Sequence, residues 1–190
     1  LIARFDLAGI SGGDAVFNPE KLEWMNNQHL MRLPDDVLVA QVRPWLERAG
    51  LWRDTFDTTE RAWLIEALAL LRPRAKRLGD IPDGLAPLAG EVVFDDVAVA
   101  KHVTVEVTPH LQALADTLAG LDEFGLAEIE RAVRGTAEAG GARPGAFMQA
   151  VRVCLTGRTV SPGLFETIAL LGRERSVDRL RAGARQAQPS

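Results

Sequence analysis

The segment "LTGRTVSPGLF", Leu155 to Phe165, concentrates residue types that handle anions and flat rings. Thr156-Gly157 predicts a helix end with glycine at C′. Ser161-Pro162-Gly163 predicts the next helix start, with serine as N-cap and proline at the first helical position. Free N–H donors at such a start carry the positive end of the helix dipole and suit a phosphate. Arg152 stands one turn before the segment, Arg158 lies within it, and Leu164 and Phe165 close it. Cations, free donors and an aromatic face are the ingredients for single-stranded RNA, whose splayed bases stack and whose phosphates are clamped. Packing accounts for the same residues without a ligand. Leu164 and Phe165 would staple two helices together, and the arginines would simply be solvated. A second cluster, "LLRPRAKRL" (Leu70 to Leu78), sets Arg72, Arg74, Lys76 and Arg77 within six residues at a helix end. Each cation there gains about 0.3–1 kcal/mol from the dipole. Four of them are more than the dipole requires.

Other chemistry is missing from the pattern. His29, His102 and His110 are scattered, and no metal-ligand spacing exists. There is no phosphate-binding P-loop, no dinucleotide fingerprint and no nucleophile elbow. Cys154 stands among Val151, Val153 and Leu155, which predicts a packed thiol and not a nucleophile. Carboxylates are plentiful, but nothing marks a pair at acid–base distance. No catalytic or metal residue is assigned, and the expected activity of the chain is binding.

The elements that must position these residues read as helices. Strand signals are nearly absent: there is no Tyr, and the only sustained alternation is "HVTVEV" (His102 to Val107), which also fits a helix start. Asn18-Pro19 predicts a capped helix start. Leu38, Val42, Trp45 and Ala49 form an apolar stripe closed by Gly50, and Pro44 inside it predicts two short helices meeting there. Leu64, Ala67, Leu68 and Leu71 form another stripe, which Pro73 should end around Leu70 to Arg72. Further helices fit 108–119, 125–139, 144–155, 162–171 and 174–185. The expected fold is all-α. The stretch Gly79 to Asp96 is richest in breakers and reads as the internal boundary or hinge. The tail "RQAQPS" is expected to fray.

With 190 residues, 47% hydrophobic and 25% charged, the chain can bury a sizeable core. No run approaches the roughly 18 apolar residues of a membrane span. The start, "LIARFDLAGI", has neither a basic region nor Met and reads as a cut through a longer chain, not a signal peptide. One cysteine excludes an internal disulfide and is compatible with a reducing cytoplasm. The net charge of -4 is uneven: 143–190 holds eight Arg against three acids, a balance of +5, which leaves -9 for 1–142. That asymmetry fits an anionic partner at the basic end, or a solvated arginine surface.

Two long blocks carry a resemblance. "FDLAGISGGDAVFNPEKLEWMNNQHL" resembles the segment that follows the catalytic half of bacterial glutamyl-tRNA synthetases, and "RVCLTGRTVSPGLFETIALLGRERSVDRL" is similar to the end of the same enzymes. The likeness covers essentially all 190 residues, in the family's order and spacing. It implies a stem-contact region over 1–55 and multi-helix, superhelical or cage-like anticodon-binding subdomains over 56–95 and 96–190. The family's nucleotide-binding catalytic motifs are not in this chain, so ATP with Mg belongs to the full enzyme and no cofactor to this part. The implied partners are glutamate tRNA and the chain's own N-terminal catalytic half. The implied state is a cytoplasmic monomer.

Residue by residue, the resemblance places Arg152, Ser161, Pro162, Leu164 and Phe165 against the anticodon. Arg74 matches an arginine of members that charge only the glutamate tRNA, and it would read the third anticodon base. Arg72, Lys76, Arg77 and Arg158 are further RNA-binding candidates. Where some members have a stacking aromatic, this chain has Gln149. Lys21, Trp24 and Asn26 would sit near the catalytic core, with Trp24 packed among helices. Two rivals remain: a free-standing paralogue without catalysis that binds RNA or protein, and a plain helical interaction module with a solubilising arginine face.

Overall fold

A computed structural model of the protein describes residues 18–141 and 143–187. The part of the first resemblance block before residue 18 and the last three residues lie outside them. The described residues form ten α-helices and no β-strand: α1 (Pro19–Arg32), α2 (Asp35–Arg48), α3 (Arg61–Leu71), α4 (Ile81–Ala89), α5 (Asp96–His102), α6 (Thr108–Ala119), α7 (Leu126–Ala139), α8 (Pro144–Thr156), α9 (Leu164–Leu171) and α10 (Arg173–Ala184). The fold is all-α, as the periodicity predicts.

Two apolar cores organise these helices. The first is built by Leu30, the inner faces of α2, α3 and α4, and Phe56 between α2 and α3. The second joins α5 to α10 around Leu111, Leu114, Phe147, Val151, Ile168 and Leu180. Leu170 of α9 reaches back into the first core, so the two are in contact.

Local signals explain most helix ends. The Asn18 side chain accepts from the Lys21 N–H at 3.0 Å, with Pro19 at the first helical position. α3 buries Leu64, Ala67, Leu68 and Leu71 and stops before Pro73. Gly157 ends α8 at φ +74, and a β-carbon there would also strike the Val93 carbonyl. Glycine is therefore required twice over.

Four expectations need correction. α2 is one helix through Pro44, whose exposed ring faces solvent and removes only one ladder bond. Its buried stripe is Leu38, Val39, Val42 and Leu46, whereas Trp45 is 41% exposed. The breaker-rich stretch 79–96 is not a hinge throughout. It holds α4, which tolerates Pro82 in its first turn, carries Pro87 inside, and buries Ile81, Leu85 and Leu88. The inter-core connection is only 90–95. "HVTVEV" is the end of α5, a turn and the approach to α6; Asp95 caps α5 by accepting from the Ala98 N–H at 2.8 Å. Trp24, expected to pack, is 62% exposed. Instead α1 is tied down by polar contacts: Asn27 Nδ2 donates to the Arg72 and Ala75 carbonyls at 3.1 and 2.8 Å.

The joint between the cores is made by arginine forks at the C-terminus of α4. Helices leave their last carbonyls without internal partners. Here Arg179 Nη1 donates to the Pro87 carbonyl at 2.6 Å, and Nη2 to the Gly90 carbonyl at 2.7 Å. Arg175 takes the Leu88 carbonyl at 2.7 Å, and Arg53 the Ala89 carbonyl at 3.4 Å. Arg179 Nη1 also takes the Leu155 carbonyl of α8 at 2.7 Å. Trp63 of α3 adds a bond from Nε1 to the Leu170 carbonyl at 3.0 Å. Burial and then the neighbouring Arg175 push the Arg179 pKa down to about 10, against partial relief from Glu91. It stays charged at neutral pH. Nearby, α10 and α8 approach so closely at Gly183 that a β-carbon would lie 2.9 Å from the Cys154 Cα.

Replacing Arg179 by Met keeps much of the volume but strips carbonyls on two helices of their donors. Urea unfolding is expected to show a loss of about 3 kcal/mol. The melting temperature should fall by about 6–12 °C. An unchanged midpoint would show that the joint does not depend on this fork.

Candidate nucleic-acid interface

Between the cores, on one side of the arginine joint, lies a cavity of about 770 Å³. The segment between α3 and α4 supplies Arg74 and Asp80, and α4 supplies Asp83, Gly84 and Pro87. α5 supplies Val97 and Lys101, and the α8–α9 loop supplies Arg158, Val160, Ser161 and Pro162. Residues 74 and 158–162, far apart in sequence, therefore share one site.

The Arg72–Arg77 cluster divides in the fold. Arg72 pairs with Asp35 at 3.3 Å and donates to the Leu33 carbonyl at 3.1 Å, locking the α1–α2 turn to the end of α3. Lys76 and Arg77 both pair with Glu23 of α1, at 2.7 and 3.4 Å. The guanidinium of Arg74 has no hydrogen bond or ion pair among the described residues, and it faces the cavity. Folding thus pairs three of these cations, Lys76 and Arg77 at the surface, and leaves the Arg74 guanidinium unpaired among the described residues.

Arg152 is half-buried and braces the loop. Its Nη1 donates to the Pro162 carbonyl at 2.8 Å, to the Ser161 carbonyl at 3.3 Å and to Ser161 Oγ. Burial lowers its pKa, and the like charge of Arg74 lowers it further. Arg158 is exposed and donates from Nη1 to the Asp83 carbonyl at 3.1 Å, bridging the loop to α4.

The helix start after the loop differs from the sequence reading. α9 begins at Leu164 with Gly163 as N-cap. Ser161 is therefore not the cap: its Oγ donates to the Pro162 carbonyl at 3.0 Å and accepts from Arg152. Glu166, in the first turn of α9, folds back over Gly163 and occupies the place of its missing β-carbon. That carboxylate already answers the helix dipole, so this N-terminus does not offer the free anion seat that the sequence suggested.

Leu164 is 6% exposed and belongs to the second core. Phe165 is half-buried against the same core, and the Arg134 guanidinium lies 5.6 Å from its ring centroid. Neither residue lines the cavity. The sequence reading does not single out Val97, Lys101, Val160, Asp80, Asp83 and Asp95, which the fold brings to the cavity wall, or Arg134, which it brings to the Phe165 ring. The sequence pattern does not mark α5 as a helix, which hides Val97 and Lys101; the capping residue Asp95 is the available signal. Gln149 Oε1 is buried without a partner among the described residues.

The chemistry of a nucleophile is absent from Cys154, which is fully buried. Burial pushes its thiol from 9.0 up to about 12. Among the described residues no group of His, Cys, Asp and Glu could hold a metal ion, and no helix is long and apolar enough to cross a membrane.

An all-helical body of two joined cores, with a mixed-charge cleft between them, has the build of a recognition module. Residues 37–184 match the family described as anticodon binding domain, and the chain belongs to that family. It is 37% identical over 188 residues to the glutamate–tRNA ligase of Chloroflexus aurantiacus, a match covering 96% of this chain and 37% of that relative. With the enzyme of the same name from Roseiflexus castenholzii it shares 38% identity over 185 residues, covering 96% and 36% of the two. Its fold is similar to part of a glutamate tRNA ligase from Elizabethkingia meningosepticum solved in complex with its amino acid, with a TM-score of 0.79 and 23% identity over 97% of this chain and 36% of the other. The chain spans a little over a third of the length of the curated relatives it matches.

The buried thiol yields a direct check. Because the folded state holds its proton above the ordinary value, Cys154's contribution to stability is complete below pH 9 and falls as pH rises towards about 12. At pH 8, a thiol reagent should label Cys154 only after denaturant unfolds the chain. Rapid labelling of the native chain would show that α8 and α10 open at Gly183.

Proposed function

We propose that this chain is the anticodon-reading part of a glutamate–tRNA ligase, which attaches glutamate to its tRNA with ATP and Mg in a catalytic half elsewhere in the longer protein. The partner is the glutamate tRNA. The observation that carries this reading is Arg74, available at the cavity wall while its neighbouring cations Arg72, Lys76 and Arg77 are paired. A guanidinium fork reads a base edge through two parallel donors held in one plane, whereas an ammonium is a point charge on a flexible stem. Membership of the anticodon binding domain family supports it.

In this reading Arg152 acts mainly by holding Ser161 and Pro162 in place, and its charge beside Arg74 makes the site favourable to an anionic strand. Phe165 and Arg134 form a second surface, outside the cavity, where a flat base stacks on a ring edge or a guanidinium. Leu164 supports that surface from the core. The exposed apolar side chains of α1, Leu22, Trp24 and Met25, are covered by the catalytic half or the tRNA stem. The protein works as a cytoplasmic monomer.

A plain helical interaction module is the competing reading. One observation favours it: most arginines of the basic C-terminal region cap carbonyls within the chain, so the charge asymmetry needs no ligand. Titrating labelled glutamate tRNA at several salt concentrations separates the two, because phosphate contacts impose a salt slope. Absent or salt-independent binding would favour the module.

Arg74→Gln is expected to leave overall affinity similar while weakening the preference for C over G at the third anticodon position by about 1–3 kcal/mol. Competition between the glutamate tRNA and a copy changed at that position measures it. Undiminished discrimination in the variant would remove Arg74 from the reading.

A further inference from the structure

We propose that Asn27 of α1 is a positioning residue for anticodon reading: its amide clamps the turn that carries Arg74 and so sets the direction in which that guanidinium enters the cleft. The proposal rests on the anticodon-reading function and names a residue outside the cleft on which its specificity depends.

The Arg74 side chain has no hydrogen bond or ion pair among the described residues, so its main chain decides its aim. The segment 72–77 belongs to no helix. Its N–H groups are anchored at both ends. Those of Arg74 and Ala75 donate to the Leu71 carbonyl at 3.0 and 3.2 Å, and those of Lys76 and Arg77 donate to the Asp80 carboxylate at 2.8 and 3.0 Å. The carbonyls of 72–76 find no backbone donor among the described residues. Asn27 Nδ2 answers three of them, donating to the Arg72 carbonyl at 3.1 Å, the Pro73 carbonyl at 3.5 Å and the Ala75 carbonyl at 2.8 Å. Asn26 Nδ2 donates to the Lys76 carbonyl. An amide has two N–H donors, so the two shorter bonds from Asn27 grip the chain on either side of Arg74.

The attachment of α1 is concentrated on this turn. The helix buries one side chain, Leu30. Among the described residues, every polar contact from an α1 side chain to the rest of the fold lands on 72–77: Glu23 pairs with Lys76 and Arg77, and Asn26 and Asn27 take the carbonyls. The Glu23 pairs are exposed, and such pairs contribute little and are screened by salt. The bonds from Asn27 to Arg72 and Ala75 are part-buried. A turn fixed before RNA arrives spares part of the ordering cost of a bidentate contact, and a guanidinium presented at the wrong angle loses the base edge. Loosening the turn therefore costs selectivity more than affinity.

The test uses the 190-residue chain, an RNA stem-loop carrying the glutamate anticodon, and a copy with G for C at the third anticodon position. The ratio of the two dissociation constants is the readout. A loss of folded protein weakens both apparent affinities alike and leaves that ratio unchanged. Asn27→Leu keeps the volume and removes the donors. It should cut the ratio about fivefold or more, change the affinity for the cognate stem-loop less, and lower the melting temperature by a few degrees. With Arg74→Gln already in place, the same substitution should not change the ratio further, because Asn27 acts through Arg74. Asn26→Ala removes only an exposed bond. It should fold as the parent does and cut the ratio about twofold, and it carries the test if Asn27→Leu fails to fold. A parental ratio in every folded variant, or an equal loss with and without Arg74, overturns the proposal. The anticodon reading then stands provided that Arg74→Gln alone still weakens discrimination. If Arg74→Gln leaves discrimination unchanged, or the parent chain binds neither stem-loop, the reading fails and the proposal with it.

Discussion

The structure depends on how one helix end is satisfied. α4 is short, contains two prolines and stops against a second core, where its last carbonyls are part-buried. Arg53, Arg175 and Arg179 converge on them from three directions. Unpaired buried carbonyls would each be costly, so the bonds that cap α4 also set the distance between the cores. Arg179 reaches α8 as well, which fixes the loop that follows α8 relative to α4. The cavity walls inherit that spacing.

This use of arginine changes what the charge asymmetry means. The +5 balance of the C-terminal segment invites an anionic partner. In the fold, Arg173 caps the carbonyls of Ala119 and Asp122, Arg175 and Arg179 cap α4, and Arg181 pairs with Asp116. The absence of lysine there has a structural reason: a fork reaches several carbonyls at once, whereas an ammonium is a point charge on a flexible stem. Of the cations that face the cavity, Arg158 comes from this segment, whereas Arg74 and Lys101 come from the acidic remainder of the chain. Most of the segment's positive charge is engaged within the fold.

Legibility followed the range of the interactions involved. Stripes such as Leu64, Ala67, Leu68 and Leu71 were readable because a helix face repeats locally. The Asn18 cap and the Gly157 stop were readable because their partners are three or four residues away. α4 was not, since its prolines argue against a helix while the burial of Ile81, Leu85 and Leu88 outweighs them from outside the segment. Pro44 misled for the related reason that its ring faces solvent. At the loop, Ser161-Pro162 looked like a helix start, but a longer-range bond from Arg152 claimed the serine and moved the start to Leu164.

By itself the sequence determined the all-α class, most helix positions, the buried thiol and the two cationic segments that meet at the cleft. Each of these follows from short-range periodicity, capping or composition. Only the tertiary structure decided which cations are available. Arg72, Lys76 and Arg77 are paired with acids on α1 and at the start of α2. Arg152 is consumed by the loop it braces, and Leu164 by the core. Arg74 is left over, and Val97, Val160 and Lys101 are brought to it from the other core. A side chain's role turns on what lies within a few ångströms of it, and those neighbours are set by chain segments tens of residues away.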